Sequence, residues 1–266
     1  PVPTGEGSAA GDAMGLGEGW GTGDASVDEV IENVKRVFRA FQGQLMVAWL
    51  ALAGVTLIFA VIEMTFALLS SVVGVGIFGL LVVPVSLVGG LAGLVVLAAQ
   101  FSLYSPLRQK IFAGFDPGDW QTAIKSNLSS VVRILLTILV LGVGTGVGMM
   151  CCVIPGLVVA FFGSMAPYLM ATRPELDMVD AFKRSYVLAK RYWMIFVVTI
   201  GALMGAGLIA GCFFGAAGTM NTMLGSFGSV LAPGFNWVGA TLFQLGIFCV
   251  WGGVFITVDE KEGATV

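Results

Sequence analysis

From Leu45 onward, apolar runs alternate with short polar clusters, and the runs are long enough to cross a bilayer as helices. Six stand out: Leu45–Leu69, Ile77–Phe101, Val131–Val153, Pro155–Ala171, Trp193–Phe214 and Trp237–Val258. A hydrocarbon core of about 30 Å takes roughly 20 apolar residues in helical form. The fourth run is the shortest, with Pro155 and Pro174 at its edges. A transmembrane barrel would instead show segments of about ten residues with alternating polarity. These runs do not alternate, so the pattern predicts an all-α, polytopic transmembrane bundle of six spans.

Two stretches follow a different period. After Ser26 and Glu29, which form an S-x-x-E capping box, residues Val27, Val30, Ile31, Val34, Val37, Phe38 and Phe41 recur at three- and four-residue spacing. They predict one apolar stripe on a helix over 26–43, too short and too polar to span, lying in the membrane interface. Gly43 permits the turn into the first span. A second such helix is expected over Asp177–Tyr192, with Asp177 at its N-cap and Tyr192 and Trp193 at the aromatic belt. Sliding Asp119 onto Asp177 also superimposes Ala123 on Ala181, Lys125 on Lys183 and Arg133 on Arg191. A third interfacial helix is therefore expected near Asp119. The layout reads as three units, each an interfacial helix followed by a membrane hairpin, within a membrane domain over 44–258.

Charge then orients the pattern. The connections Ser70–Gly76, Cys152–Gly156 and Gly215–Asn236 contain no Lys or Arg, whereas Ser102–Ser130 and Thr172–Tyr192 are rich in both. By the positive-inside rule both termini are cytoplasmic. Residues 1–25 form a tail rich in Gly and acids, expected to be disordered in isolation. Residues 259–266 are expected to form a short cytoplasmic tail. No basic segment precedes an apolar core near the start, so no cleavable signal peptide is expected. Composition agrees, at 57% hydrophobic and 11% charged residues with mean hydropathy +0.95. The net charge of −3 says little, because the acids cluster in the two tails; polar clusters flank the spans instead, which leaves no strongly basic surface for nucleic acid.

Glycine and the few polar residues within the spans carry the remaining signals. Pairs such as Gly142/Gly146, Gly144/Gly148 and Gly201/Gly205 predict small-residue faces that pack helices within the chain, with a dimer interface as the alternative. Gly74–Gly79 matches G-x-G-x-x-G, but no strand precedes it, so it does not indicate nucleotide binding. The chain contains no histidine, which excludes Ser-His-Asp triads and His-ligated metal sites. No metal or cofactor is expected. Cys151, Cys152 and Cys212 fall near the outer end, where an oxidising compartment could pair two of them; alternatively they are small buried apolar residues. Glu63 is the one acid inside the spans, and an intramembrane ionisable group is a functional hypothesis by default. It reads as a structural Glu reaching Gln244, or else as a proton or cation site. Gln100 and Arg133 lie near inner ends, where snorkelling accounts for them.

The segment Ile154-Pro155-Gly156, the span with Pro167, and the stretch Ala181, Ser185, Leu188 in A-x-x-x-S-x-x-L spacing carry a family likeness. They resemble bacterial membrane families typified by the membrane domain of glycerophosphoryl diester phosphodiesterases. The resemblance implies a polytopic inner-membrane module whose own role is generally undefined, because the catalytic part of those enzymes is a separate soluble domain. The leading expectation is therefore a non-catalytic scaffold or accessory subunit of a larger membrane complex, contacting lipids and other membrane-protein subunits. Its cytoplasmic face would consist of Lys35, Arg36, Arg39, Lys183, Arg184, Lys190 and Arg191. The alternative is a transporter, channel or lipid-handling protein.

Overall fold

The computed structural model describes residues 23, 25–73, 75–114, 120–224 and 226–263. The expected tail over 1–25 falls almost entirely outside these residues, as does Asp119, and the side chains of Glu63 and Cys212 are likewise outside them. All secondary structure among the described residues is helical: α1 (Val27–Phe41), α2 (Gln44–Val73), α3 (Val75–Ser102), α4 (Tyr104–Ala113), α5 (Trp120–Cys151), α6 (Val153–Gly163), α7 (Ala166–Thr172), α8 (Met178–Arg191), α9 (Trp193–Leu224) and α10 (Ser226–Lys261). Among the described residues, five segments are long and apolar enough to cross a membrane: Gln44–Phe66, Pro84–Ala113, Leu128–Cys151, Val153–Thr172 and Trp237–Lys261. A sixth is reached if α8 and α9, bent by 92° at their junction, are counted together. Leu87, Leu91, Val143, Met150, Ile154 and Leu242 are all well exposed. An apolar belt of this extent is the surface that lipid covers.

The start of α1 follows its sequence signal. Ser26 Oγ accepts from the Glu29 N–H at 3.2 Å, and Glu29 Oε2 accepts from the Ser26 N–H at 2.9 Å, closing both halves of the capping box. Gly43, at φ 90°, turns the chain into α2. The single apolar stripe expected on α1 is in fact two. Val30, Val37 and Phe41 are buried together with Asn33, while Val27, Ile31 and Phe38 face outward. The buried stripe rests on α10, where a methyl on Gly253 would lie 2.8 Å from Val34 N and 2.9 Å from Val34 Cα. Only a residue without a side chain permits that backbone approach.

The four-residue glycine pairs do not all behave as expected. A methyl on Gly142, Gly146, Gly201 or Gly205 would meet nothing within 4 Å among the described residues, so these faces do not pack against that part of the chain. Gly148 does pack: its added methyl would lie 2.7 Å from Gly156 N, and the glycine of Ile154-Pro155-Gly156 thereby closes the tight α5–α6 turn. The third interfacial helix is expected to begin near Asp119, outside the described residues; from Trp120 onward the described residues form one unbroken helix, α5, into the span.

The fourth run divides into α6 and α7 at Ser164–Met165. There Ser185 of α8 bridges the break, accepting from the Met165 N–H at 3.1 Å and donating to the Phe162 carbonyl at 2.6 Å. Ala181, Ser185 and Leu188 are all buried, so the A-x-x-x-S-x-x-L spacing is the inward stripe of α8. Asp177 occupies the N-cap position of α8 without a side-chain hydrogen bond.

The best-packed region lies toward the charged end of the bundle. Tyr104 stacks on Phe248 at 4.2 Å between ring centroids and meets Tyr168 and Phe255 edge-on. Its hydroxyl donates to the Phe248 carbonyl at 2.8 Å, which satisfies the one polar atom of a buried ring. The C-terminal tail expected from residue 259 does not begin there. α10 continues to Lys261, and Asp259 is only 2% exposed.

Candidate functional site

The end of α10 is the polar centre of the molecule. Asp259 Oδ2 accepts from Arg108 Nε of α4 at 2.9 Å and from the Tyr168 hydroxyl of α7, while Oδ1 accepts from Arg173 Nη2 at 3.3 Å. Each donor is brought in by local sequence. Arg108 shares a buried face of α4 with Tyr104 and Leu107, and Tyr168 follows Pro167 at the start of α7. Arg173 caps the end of α7 through its own N–H to the Leu169 carbonyl. Two guanidinium groups and a phenol on one buried carboxylate satisfy it and tie three segments to α10.

The neighbouring residues repeat this arrangement. Glu260 Oε2 accepts from Asn33 Nδ2 at 2.9 Å, and Oε1 pairs with Arg36, whose second arm reaches the Ile111 carbonyl. Lys261 Nζ lies 2.9 Å from Glu29. Glu262 accepts from Arg191 Nη1 at 2.9 Å and from the Tyr192 hydroxyl at 3.0 Å. Four consecutive residues thus bond to α1, α4, α7 with its following loop, and the α8–α9 corner. Glu29 belongs both to this clasp and to the α1 cap. The Ser26 backbone N–H, followed by Lys261, holds its carboxyl below its ordinary value.

The seven expected face residues therefore divide. Arg36 and Arg191 are internal ties to Glu260 and Glu262. Lys183 pairs with Asp180 one turn away at 3.3 Å. Arg184 and Lys190 are half-buried on α8. Desolvation, and then the nearby Arg173, lowers the Arg184 guanidinium from its ordinary value. Lys35 and Arg39 remain at the surface, lining an open groove of about 480 Å³ with Val34, Phe38 and Cys249.

Glu63 and Gln244 are not brought together. Trp237 Nε1 donates to Thr56 Oγ1 at 2.9 Å and Phe41, just before the start of α2, packs on Phe248 at 4.9 Å, so α2 and α10 run antiparallel. From the Thr56–Trp237 level, the two residues lie about two turns away in opposite directions. That separates them by about 21 Å along the axis at about 1.5 Å per residue. Snorkelling does not describe Gln100, which is 3% exposed and whose Nε2 has no hydrogen-bond partner among the described residues. Arg133 turns to the α7–α8 loop and donates to the Pro174 carbonyl at 2.7 Å and to the Leu176 carbonyl. Cys151 and Cys152 are exposed free thiols, and Cys249 is a buried one. Neither of the first two is a buried apolar filler.

Among the described residues, no cluster of three or more His, Cys, Asp or Glu could hold a metal ion. No family model, curated protein or solved structure matches this chain. The clasp was missed in sequence because Arg108, Arg173 and Asp259 lie where charges mark span ends. The available signal was the position of Asp259, one residue past an unbroken apolar run on α10, facing two arginines at other span ends.

Proposed function

We propose that this chain is a non-catalytic, polytopic membrane protein serving as a scaffold or accessory subunit of a larger membrane complex. It works from the cytoplasmic face of a bacterial inner membrane, with six spans and both termini inside. In this reading α1 and α8 lie in the interface, consistent with the outward Val27, Ile31 and Phe38 on a helix that also carries Lys35 and Arg39. The membrane families resembled in Ile154-Pro155-Gly156 and the α8 spacing fit the same assignment.

The observation that carries the reading is the clasp. Asp259, Glu260, Lys261 and Glu262 bind charged or polar partners within the chain. Groups saturated in this way hold a surface in fixed shape rather than transfer protons or substrate. Cross-linking through Lys35, Lys183 and Lys190 after mild solubilisation tests it. Links from these lysines to other polypeptides are expected, and a monodisperse monomer with only internal links would remove the scaffold reading. The second reading, a lipid-handling protein, is favoured by the α1–α10 groove.

A further inference from the structure

The charges of α1 fall into two groups, and the difference locates a site. Glu29, Asn33 and Arg36 follow one another at four- and three-residue spacing, which puts them on one face, and all three bond to Lys261 or Glu260. Lys35 and Arg39 lie on the adjoining face, one turn apart. Arg39 Nε reaches only the Lys35 carbonyl, at 3.4 Å. Among the described residues, no carboxylate lies within ion-pair distance of either cation; Glu32, one turn before Lys35, remains beyond it.

These two cations stand at the lip of the α1–α10 groove. Its walls are Val34 and Phe38 and its floor is Cys249, a small side chain that leaves the space open. The volume of about 480 Å³ is within the range of roughly 300–1,000 Å³ typical of small-molecule sites. Below Cys249 the same stripe of α10 continues through Leu245, Leu242 and Val238, with Leu242 63% exposed. Two cations beside a small apolar hollow that continues into an exposed apolar stripe are complementary to one kind of molecule, an anion attached to a hydrocarbon chain.

We propose that this groove binds one anionic glycerophospholipid, its phosphate between Lys35 and Arg39 and an acyl chain running over Cys249 along α10. The proposal rests on the interfacial placement of α1 given above. The lipid completes the surface between α1 and α10, filling the hollow beside the Val34–Gly253 contact.

The test is native mass spectrometry of the full-length chain titrated with dioleoylphosphatidylglycerol or dioleoylphosphatidylcholine. The wild type retains one phosphatidylglycerol under activation that strips phosphatidylcholine. Lys35→Gln/Arg39→Gln weakens retention about 30-fold, at about fivefold per cation, while Lys183→Gln retains it. Equal retention by the double variant overturns the proposal. Displacement by millimolar glycerol 3-phosphate also overturns it, since the acyl trough would then contribute nothing. Hydroxyl-radical footprinting in lipid nanodiscs reads Ile31 and Phe38 separately. Protection of both with unchanged lipid retention rejects the site alone, and labelling of both rejects the interfacial placement with it.

Discussion

Replacing Asp259 with Asn removes one charge and leaves the shape almost unchanged, so it isolates what the carboxylate does. Its side chain is 3% exposed, and those of Arg108 and Arg173 are 11% and 18% exposed. With the anion gone, two guanidinium groups face each other with little water to screen them. The Asn amide offers one acceptor oxygen where two carboxylate oxygens served three donors. Removing one partner of a buried ion pair costs about 3–5 kcal/mol. The next residue is an internal control. Glu260→Gln breaks a pair whose side chains are 44% and 35% exposed, and exposed pairs contribute only about 0–1 kcal/mol. Equilibrium unfolding in mixed micelles, followed by circular dichroism, should separate the two variants clearly. In Asp259→Asn/Arg108→Gln the combined loss should be smaller than the sum of the single losses, because the second change removes the charge stranded by the first. If Asp259→Asn costs no more than Glu260→Gln, the Asp259 carboxylate does not tie α4 and α7 to α10.

Gly253→Val should push α1 off α10, because the added carbon meets not only Val34 Cγ2 but also the Val34 backbone N and Cα, which cannot swing aside; overpacking of this kind costs about 1–3 kcal/mol, and faster proteolysis around α1 would report it. Ser185→Ala leaves the buried Met165 N–H without its acceptor at the α6–α7 break, a loss of about 1–3 kcal/mol that should appear as a lower melting temperature in detergent. The Glu29 carboxyl is held below its ordinary value of 4.5. Its contribution to the α1 cap is therefore complete above that value and is lost as pH falls through the lowered one. Hydrogen exchange in the first turn of α1 should accelerate over that acidic window in the wild type, and much less so in Glu29→Gln.

Much of the helical layout was legible because it depends on quantities local in sequence. The length of an apolar run, the Ser26–Glu29 pair and Gly43 each specify their own stretch of chain. Partner identity is not local. Nothing near Gly253 distinguishes it from Gly201, yet the first meets the backbone of α1 and the second meets open space. In sequence Asp259 looks like the start of a tail, because charge after an apolar run ordinarily marks the exit into water. Its burial depends on Arg108, Tyr168 and Arg173, which lie on segments remote in sequence. Glu63 and Gln244 were paired on approximate depth, and the register set by Trp237 and Thr56 separates them.

The clasp and the groove depend on the same helix, and α1 geometry links them. Successive residues on a helix point about 100° apart, so a small rotation of α1 would exchange its faces. Two independent constraints oppose that rotation. One is the Gly252–Gly253 surface, which accepts Val34 and Val37 and nothing bulkier at the same distance. The other is the set of bonds from Glu29, Asn33 and Arg36 to the end of α10. With those three residues facing the C-terminus, Lys35 and Arg39 must face the groove. The acidic end of α10 therefore does more than neutralise nearby cations. By occupying one face of α1 it leaves the other two cations exposed beside the apolar groove, in the setting where an anionic lipid is the complementary partner.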